Sequence, residues 1–173
     1  MRTNWMNTTT PARVAVAVTS LAVTSLAGTA IVAATPAPAA TPAALSISGD
    51  MLIAPGVHLL NIEAKGLRTS SGMTTGTYVA TVKNGSMALP IQVKGPVTCI
   101  YTDATTGSLI YPITGSTPDI LPAGARGAYA VQVTVRTGNP DKVGLMGPMP
   151  TSSFHGCHPG ATPYTFEGTI ETK

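Results

Sequence analysis

The residues best suited to chemistry crowd into one short segment: Met146, Met149, His155, Cys157 and His158 fall within 13 positions. Thioethers, imidazoles and a thiolate together make a soft donor set that suits copper. The order argues against a blue-copper centre, which needs Cys, then His, then Met after a short loop; no Met follows His158. Were Cys157 oxidised, Met146, Met149, His155 and His158 would remain as a weak Cu(I) set. No other motif asks for a cofactor, and none is expected.

Hydrolytic chemistry has less behind it. A serine hydrolase needs a nucleophile, a base and an orienting acid. Serines, aspartates and three histidines (His58, His155, His158) are present, yet no Gly-x-Ser-x-Gly elbow presents a serine. Paired carboxylates for glycoside hydrolysis would come from Asp50, Glu63, Asp103, Asp119, Asp141, Glu167 and Glu171. Of these, Glu167 and Glu171 read as ordinary solvent-facing strand residues, and His58, beside a strand, reads as structural. Neither a phosphate loop nor a dinucleotide fingerprint occurs.

The compartment follows from the first forty residues. Met1 to Arg13 carries two arginines and no acid, and Val14 to Ala34 is uncharged and rich in Val, Ala, Leu and Ile. A basic start, an apolar stretch and then small residues describe a secretory signal peptide. Residues 1–39 are therefore assigned to the leader and the start of a linker, with 40–43 completing the linker and 44–173 forming one domain. The alternative is a retained anchor, since 21 uncharged residues just span a bilayer. The reading is of a secreted or cell-envelope protein that touches membrane only if the leader is kept.

Beyond the leader the chain is charge-poor. Only 10% of the whole is charged, against 43% hydrophobic. Removing Arg2 and Arg13 from the ten Lys/Arg leaves eight, against seven Asp/Glu. These are scattered without a basic stripe, which excludes a nucleic-acid surface. The Ala-, Thr- and Pro-rich, Lys-poor composition resembles that of exported actinobacterial proteins in general, and no specific family pattern stands out.

The elements that must position these residues have a period of two. Leu45 and Ile47 alternate with serines, Leu60, Ile62 and Ala64 with Asn61 and Glu63, and Tyr78, Ala80 and Val82 with Val79, Thr81 and Lys83. Asn84-Gly85 marks a hairpin, and Pro90 and Pro112 each mark an edge strand. Tyr129, Val131, Val133 and Val135 are expected to face the core together with Tyr164, Phe166 and Ile170, leaving Gln132 and Thr134 to solvent. About eight short strands predict an all-β, antiparallel β-sandwich, Ig-like in general layout, with a small β-barrel as the alternative.

Cys99 sits in a strand, and Cys157 lies 58 positions later in a Gly- and Pro-rich region, 137–162, with no period. Two cysteines in an exported chain are expected to pair. Closing so long a loop is worth about 4 kcal/mol in the chain-entropy model. The clamped region concentrates Leu145, Met146, Met149 and Phe154, a candidate binding loop of adaptable apolar side chains; the alternative is a lid over an open end of the core. The expected function is non-catalytic: a binding or structural role outside the cell or in its envelope, the partner being a protein or envelope component. A small-molecule or copper carrier and a secreted hydrolase are the alternatives.

Overall fold

A computed structural model describes residues 39–173. The leader read at 1–39 lies outside them, save its last residue. Among the described residues no helix is long and apolar enough to cross a membrane.

Ten strands follow in order: β1 (Ala43–Ala54), β2 (Val57–Arg68), β3 (Thr74–Asn84), β4 (Met87–Pro96), β5 (Cys99–Thr102), β6 (Thr106–Pro112), β7 (Gly115–Thr117), β8 (Tyr129–Arg136), β9 (Lys142–Pro150) and β10 (Tyr164–Thr172). Every pairing is antiparallel. The hairpins form where the turn residues stand. Pro55-Gly56 links β1 to β2, and the β3–β4 turn is Gly85-Ser86, one residue later than expected. Gly85 takes a φ of +61°, which a residue with a Cβ adopts only at a cost, and Asn84 stays in the ladder opposite Met87.

The architecture departs from two packed sheets of about eight strands. All ten are hydrogen-bonded into one curled sheet in the order β5-β6-β8-β9-β10-β1-β2-β3-β4-β7. The strands unread in the sequence are β7 and β9. β9 was hidden because Gly144, Gly147, Pro148 and Pro150 erase its alternation, and its register against β8 shifts between Ala130 and Gln132. β7 is only three residues long.

The curl has a covalent cause. Only Ile113 and Thr114 separate β6 from β7. The Ile113 N–H donates to Tyr129 on β8, and the Thr114 N–H donates to Lys94 on β4. The chain thus leaves β8 and joins β4 within two residues. This brings the β1–β4 half of the sheet round to face the β5–β9 half. β6 itself lies between β5 and β8, so Pro112 does not mark an edge strand; it stands just past the last β5 pair, Cys99 with Ile110. Pro90 does lie on unpaired edge among the described residues, since β7 reaches only Gln92 to Lys94.

Leu45, Ile47, Ile62 and Tyr78 from one half pack against Ile100, Leu109, Tyr111 and Val133 from the other. The rings of Tyr78 and Tyr111 stack with centroids 3.6 Å apart. Val131, Val133, Val135 and Phe166 are buried as expected, and Tyr164 and Ile170 pack on the core from its rim. Tyr129 does not join them; at the start of β8, opposite Pro150, it is 45% exposed.

Candidate functional site

The two outer faces of the curled sheet are treated differently, and this asymmetry frames the candidate site. On the β6–β8 side, the expected solvent residues Gln132 and Thr134 are each only 3% exposed, and Ser108 is fully buried. What covers them is residues 151–163. The Cys99–Cys157 disulfide, with 5.9 Å between its α-carbons, ties this segment to β5. Cys157 packs with Ile110, Ala130, Cys99, Tyr101 and Phe154 in a small apolar cluster separate from the main core. Beside it lies a polar patch. Gln132 Nε2 donates to Ser108 Oγ at 2.8 Å and to the carbonyl oxygen of His158, while the Gly160 N–H donates to Thr134 Oγ1 at 2.9 Å. Ser108 Oγ and Thr134 Oγ1 share a further bond at 3.3 Å. Gln132, Ser108 and Thr134 therefore each have a partner in this patch, as burial requires.

The other face, on β10-β1-β2-β3-β4, carries no such cover from the described residues. Strand register aligns its outward side chains into three straight rungs. Glu171, Ser46, Lys65, Thr77 and Pro96 form the first, and Thr169, Ser48, Glu63, Val79 and Lys94 the second. Glu167, Asp50, Asn61, Thr81 and Gln92 form the third. All three glutamates of the chain stand here. Small serines on β1 lie between longer side chains on β10 and β2, leaving a shallow groove of about 480 Å³.

At one end of that face the groups condense into a half-buried cluster. Lys83 Nζ donates to Asp50 Oδ2 at 2.6 Å, His58 Nδ1 lies 2.9 Å from the same oxygen, and Asn61 Nδ2 donates to Oδ1 at 2.8 Å. Burial alone would raise the Asp50 carboxyl; the hydrogen bonds from Lys83, Asn61 and His58 outweigh it and hold the group below its ordinary value. The other His58 nitrogen is 4.0 Å from Glu167. Both ring nitrogens thus face carboxylates, Nδ1 within hydrogen-bond distance of Asp50 and Nε2 at the edge of ion-pair reach of Glu167. The cluster's chemistry is ion pairing and hydrogen bonding.

The residues singled out in the 142–158 segment are split up. Leu145 packs on the main core and Phe154 on the small disulfide cluster, while Met149 is half-buried and Met146 is 44% exposed. The segment is a strand followed by a covering strap over the flank of the sheet. His155 and His158 are exposed on that strap, and the Cys157 sulfur is bonded to Cys99. Among the described residues no three His, Cys, Asp or Glu side chains gather as a metal set. The Asp50 cluster was not foreseen. Alternation marked Asn61, Glu63 and Lys83 as outward, and the two-residue turn at Pro55-Gly56 is the local signal that pairs Asp50 with Asn61; the approach of Lys83 from β3, across the longer loop 69–73, has no such signal. Compared with known proteins, the chain matches no protein-family model, no curated protein and no solved structure.

Proposed function

We propose that this chain is an exported, non-catalytic all-β domain that acts outside the cell or in its envelope by binding, with the open face of β10-β1-β2-β3-β4 as its binding side. The observation that carries this reading is the asymmetry of the sheet: among the described residues a disulfide-tied strap covers one outer face and none covers the other. A disulfide persists in oxidising compartments, which fits export. The bare face offers hydroxyls, carboxylates and ammonium groups in regular rungs on a rigid sheet, a surface suited to a polar partner. The Asp50 cluster adds a carboxylate held by Lys83 and Asn61 at one end of that face, a fixed polar group for such a partner.

The test has two parts. Intact-mass analysis of the native host's culture filtrate and envelope fraction is expected to find a chain beginning near residue 35 or 40, with its two cysteines oxidised. Full-length, reduced protein confined to the cytosolic fraction would sink the reading. Co-sedimentation of that mature chain with envelope fragments is then expected to weaken on Glu63→Ala/Lys65→Ala substitution and to survive Met146→Ser. The reverse ranking would move the binding side to β9.

A further inference from the structure

We propose that residues 151–163 form a strap clasped twice to the outer face of β6 and β8, covalently at Cys157 and by hydrogen bonds at His158 and Gly160. Reduction of the disulfide then frees only the first half of the strap and leaves the polar face of β8 covered. This inference stands apart from the proposed function, since it concerns the face opposite the binding side.

The two clasps share no atoms. The first is the Cys99–Cys157 bond together with the apolar contacts of Phe154 around it. The second is built from the backbone of the strap and the side chains of the sheet: the His158 carbonyl accepts from Gln132, and the Gly160 N–H donates to Thr134. None of these groups depends on the oxidation state of sulfur. Ser108 ties Gln132 to Thr134, so the receiving side chains are held in place by one another. The strap is also fixed at both ends. The Thr151 N–H and hydroxyl donate to the carbonyls of Ala128 and Gly127 at 2.9 Å each. At the far end β10 begins at Tyr164, opposite Val143. Just before it the Ala161 carbonyl passes so close to Gly144 that a Cβ there would collide with it.

Between the Thr151 anchor and His158 lie residues 152–157, and within them the sole internal tie is the Phe154 N–H to Thr151, at 3.3 Å. Cutting the disulfide therefore removes the main restraint from this stretch alone. His158 to Pro163 keeps its side-chain clasp and its continuity with β10. Local opening of this kind is set by the contacts of the opening segment rather than by global stability.

Amide hydrogen exchange and limited proteolysis, read by mass spectrometry on the secreted chain with and without phosphine reductant, test the idea. Where the bond resists reductant, Cys99→Ala/Cys157→Ala takes the place of the reduced form. Because most amides of 152–157 have no acceptor to lose, that stretch is read by chymotryptic cleavage after the half-buried Phe154, which reduction is expected to speed at least about tenfold while exchange of the Gly160 amide changes less than about threefold. Equal acceleration at Gly160 would overturn the second clasp, and no acceleration of cleavage at Phe154 would overturn the first. In the oxidised protein, Thr134→Val is expected to speed exchange at Gly160 and leave cleavage at Phe154 unchanged; an unchanged Gly160 amide would also overturn the proposal. Should that variant fail to fold, the comparison of oxidised and reduced wild type decides by itself.

Discussion

Gly95 is the position at which a single added methyl group tests the curl of the sheet. It lies on β4 where that strand crosses the end of β6. A Cβ built there would collide with the carbonyl oxygen of Pro112, and would sit 3.0 Å from the Pro112 carbonyl carbon and 3.4 Å from Tyr111 Cδ2. Both near neighbours on Pro112 are backbone, so no side-chain rotation relieves the clash. Carbon–oxygen contacts settle near about 3.3 Å, and Gly95→Ala must part β4 from β6 by more than about an ångström to reach that distance. The parting falls on three neighbouring features: the Thr114 N–H to Lys94 bond at 3.0 Å, the short β4–β7 ladder from Gln92 to Lys94, and the Tyr78–Tyr111 stack. Losing two or three backbone hydrogen bonds at about 1 kcal/mol each, and loosening an aromatic pair worth about 1 kcal/mol, amounts to about 3–4 kcal/mol. That is a large share of the net stability of a domain, about 5–15 kcal/mol. The assay is urea unfolding followed by tyrosine fluorescence, with near-ultraviolet circular dichroism reporting the stacked pair. Gly124→Ala is the control, since a Cβ there meets nothing within 4 Å, and it is expected to shift stability by less than about 0.5 kcal/mol. If the two variants unfold together, β4 and β6 do not meet as described.

Further expectations follow from burial and charge. Val133→Asp and Thr134→Asp are both expected to cost about 3 kcal/mol or more, because both faces of β8 are covered and an unpaired carboxylate would be buried; exposed Arg136→Asp should be tolerated, and equal thermal stability of Thr134→Asp and wild type would contradict the strap. Asp50 has a lowered folded-state value, so its ion pairs contribute fully above the unfolded aspartate value near about 3.9 and are lost as pH falls through the folded one. Acid titration of stability should accordingly be shallower below about pH 4 in Lys83→Met than in wild type, and that variant should lose about 1 kcal/mol at neutral pH. Burial pushes Tyr111 up to about 12 and Tyr78 well above its ordinary value, with Tyr111's proximity adding to the latter. Folding thus favours the neutral phenols. Their contribution is complete below about pH 10 and is lost as pH rises toward 12, so alkaline unfolding should coincide with a rise in tyrosinate absorbance that Tyr78→Phe/Tyr111→Phe removes.

Much of the fold was legible in the chain itself. The period of two from Leu45 to Lys83, and again from Val131 to Val135, specifies strands with one apolar face, because successive side chains of a strand point to opposite sides. Pro55-Gly56 and Asn84-Gly85 placed the hairpins to within a residue, since turn chemistry is a property of two adjacent residues. Two cysteines behind a leader-like segment were enough to expect the bond between Cys99 and Cys157. What tertiary structure alone decided is of another kind. The burial of Gln132 and Thr134 depends on a strap 26 residues downstream, as the partner of each side chain shows. Alternation identifies a polar face but not what lies over it. The strand β9 takes its shape from pairing with β8 over a register shift, against a local sequence of Gly and Pro that favours no strand. One sheet rather than two results from the short β9–β10 ladder, Tyr164 with Val143 and Thr165 with Lys142, and its curl from Ile113 and Thr114 bonding to β8 and β4 in turn. Asp50, His58 and Asn61 share the hairpin about Pro55-Gly56, but the arrival of Lys83 on Asp50 required β3 in register with β2. Local sequence encodes which way a side chain points along its own strand; which groups it then meets is set by pairing between strands distant in the chain, and that pairing is decided by the fold as a whole.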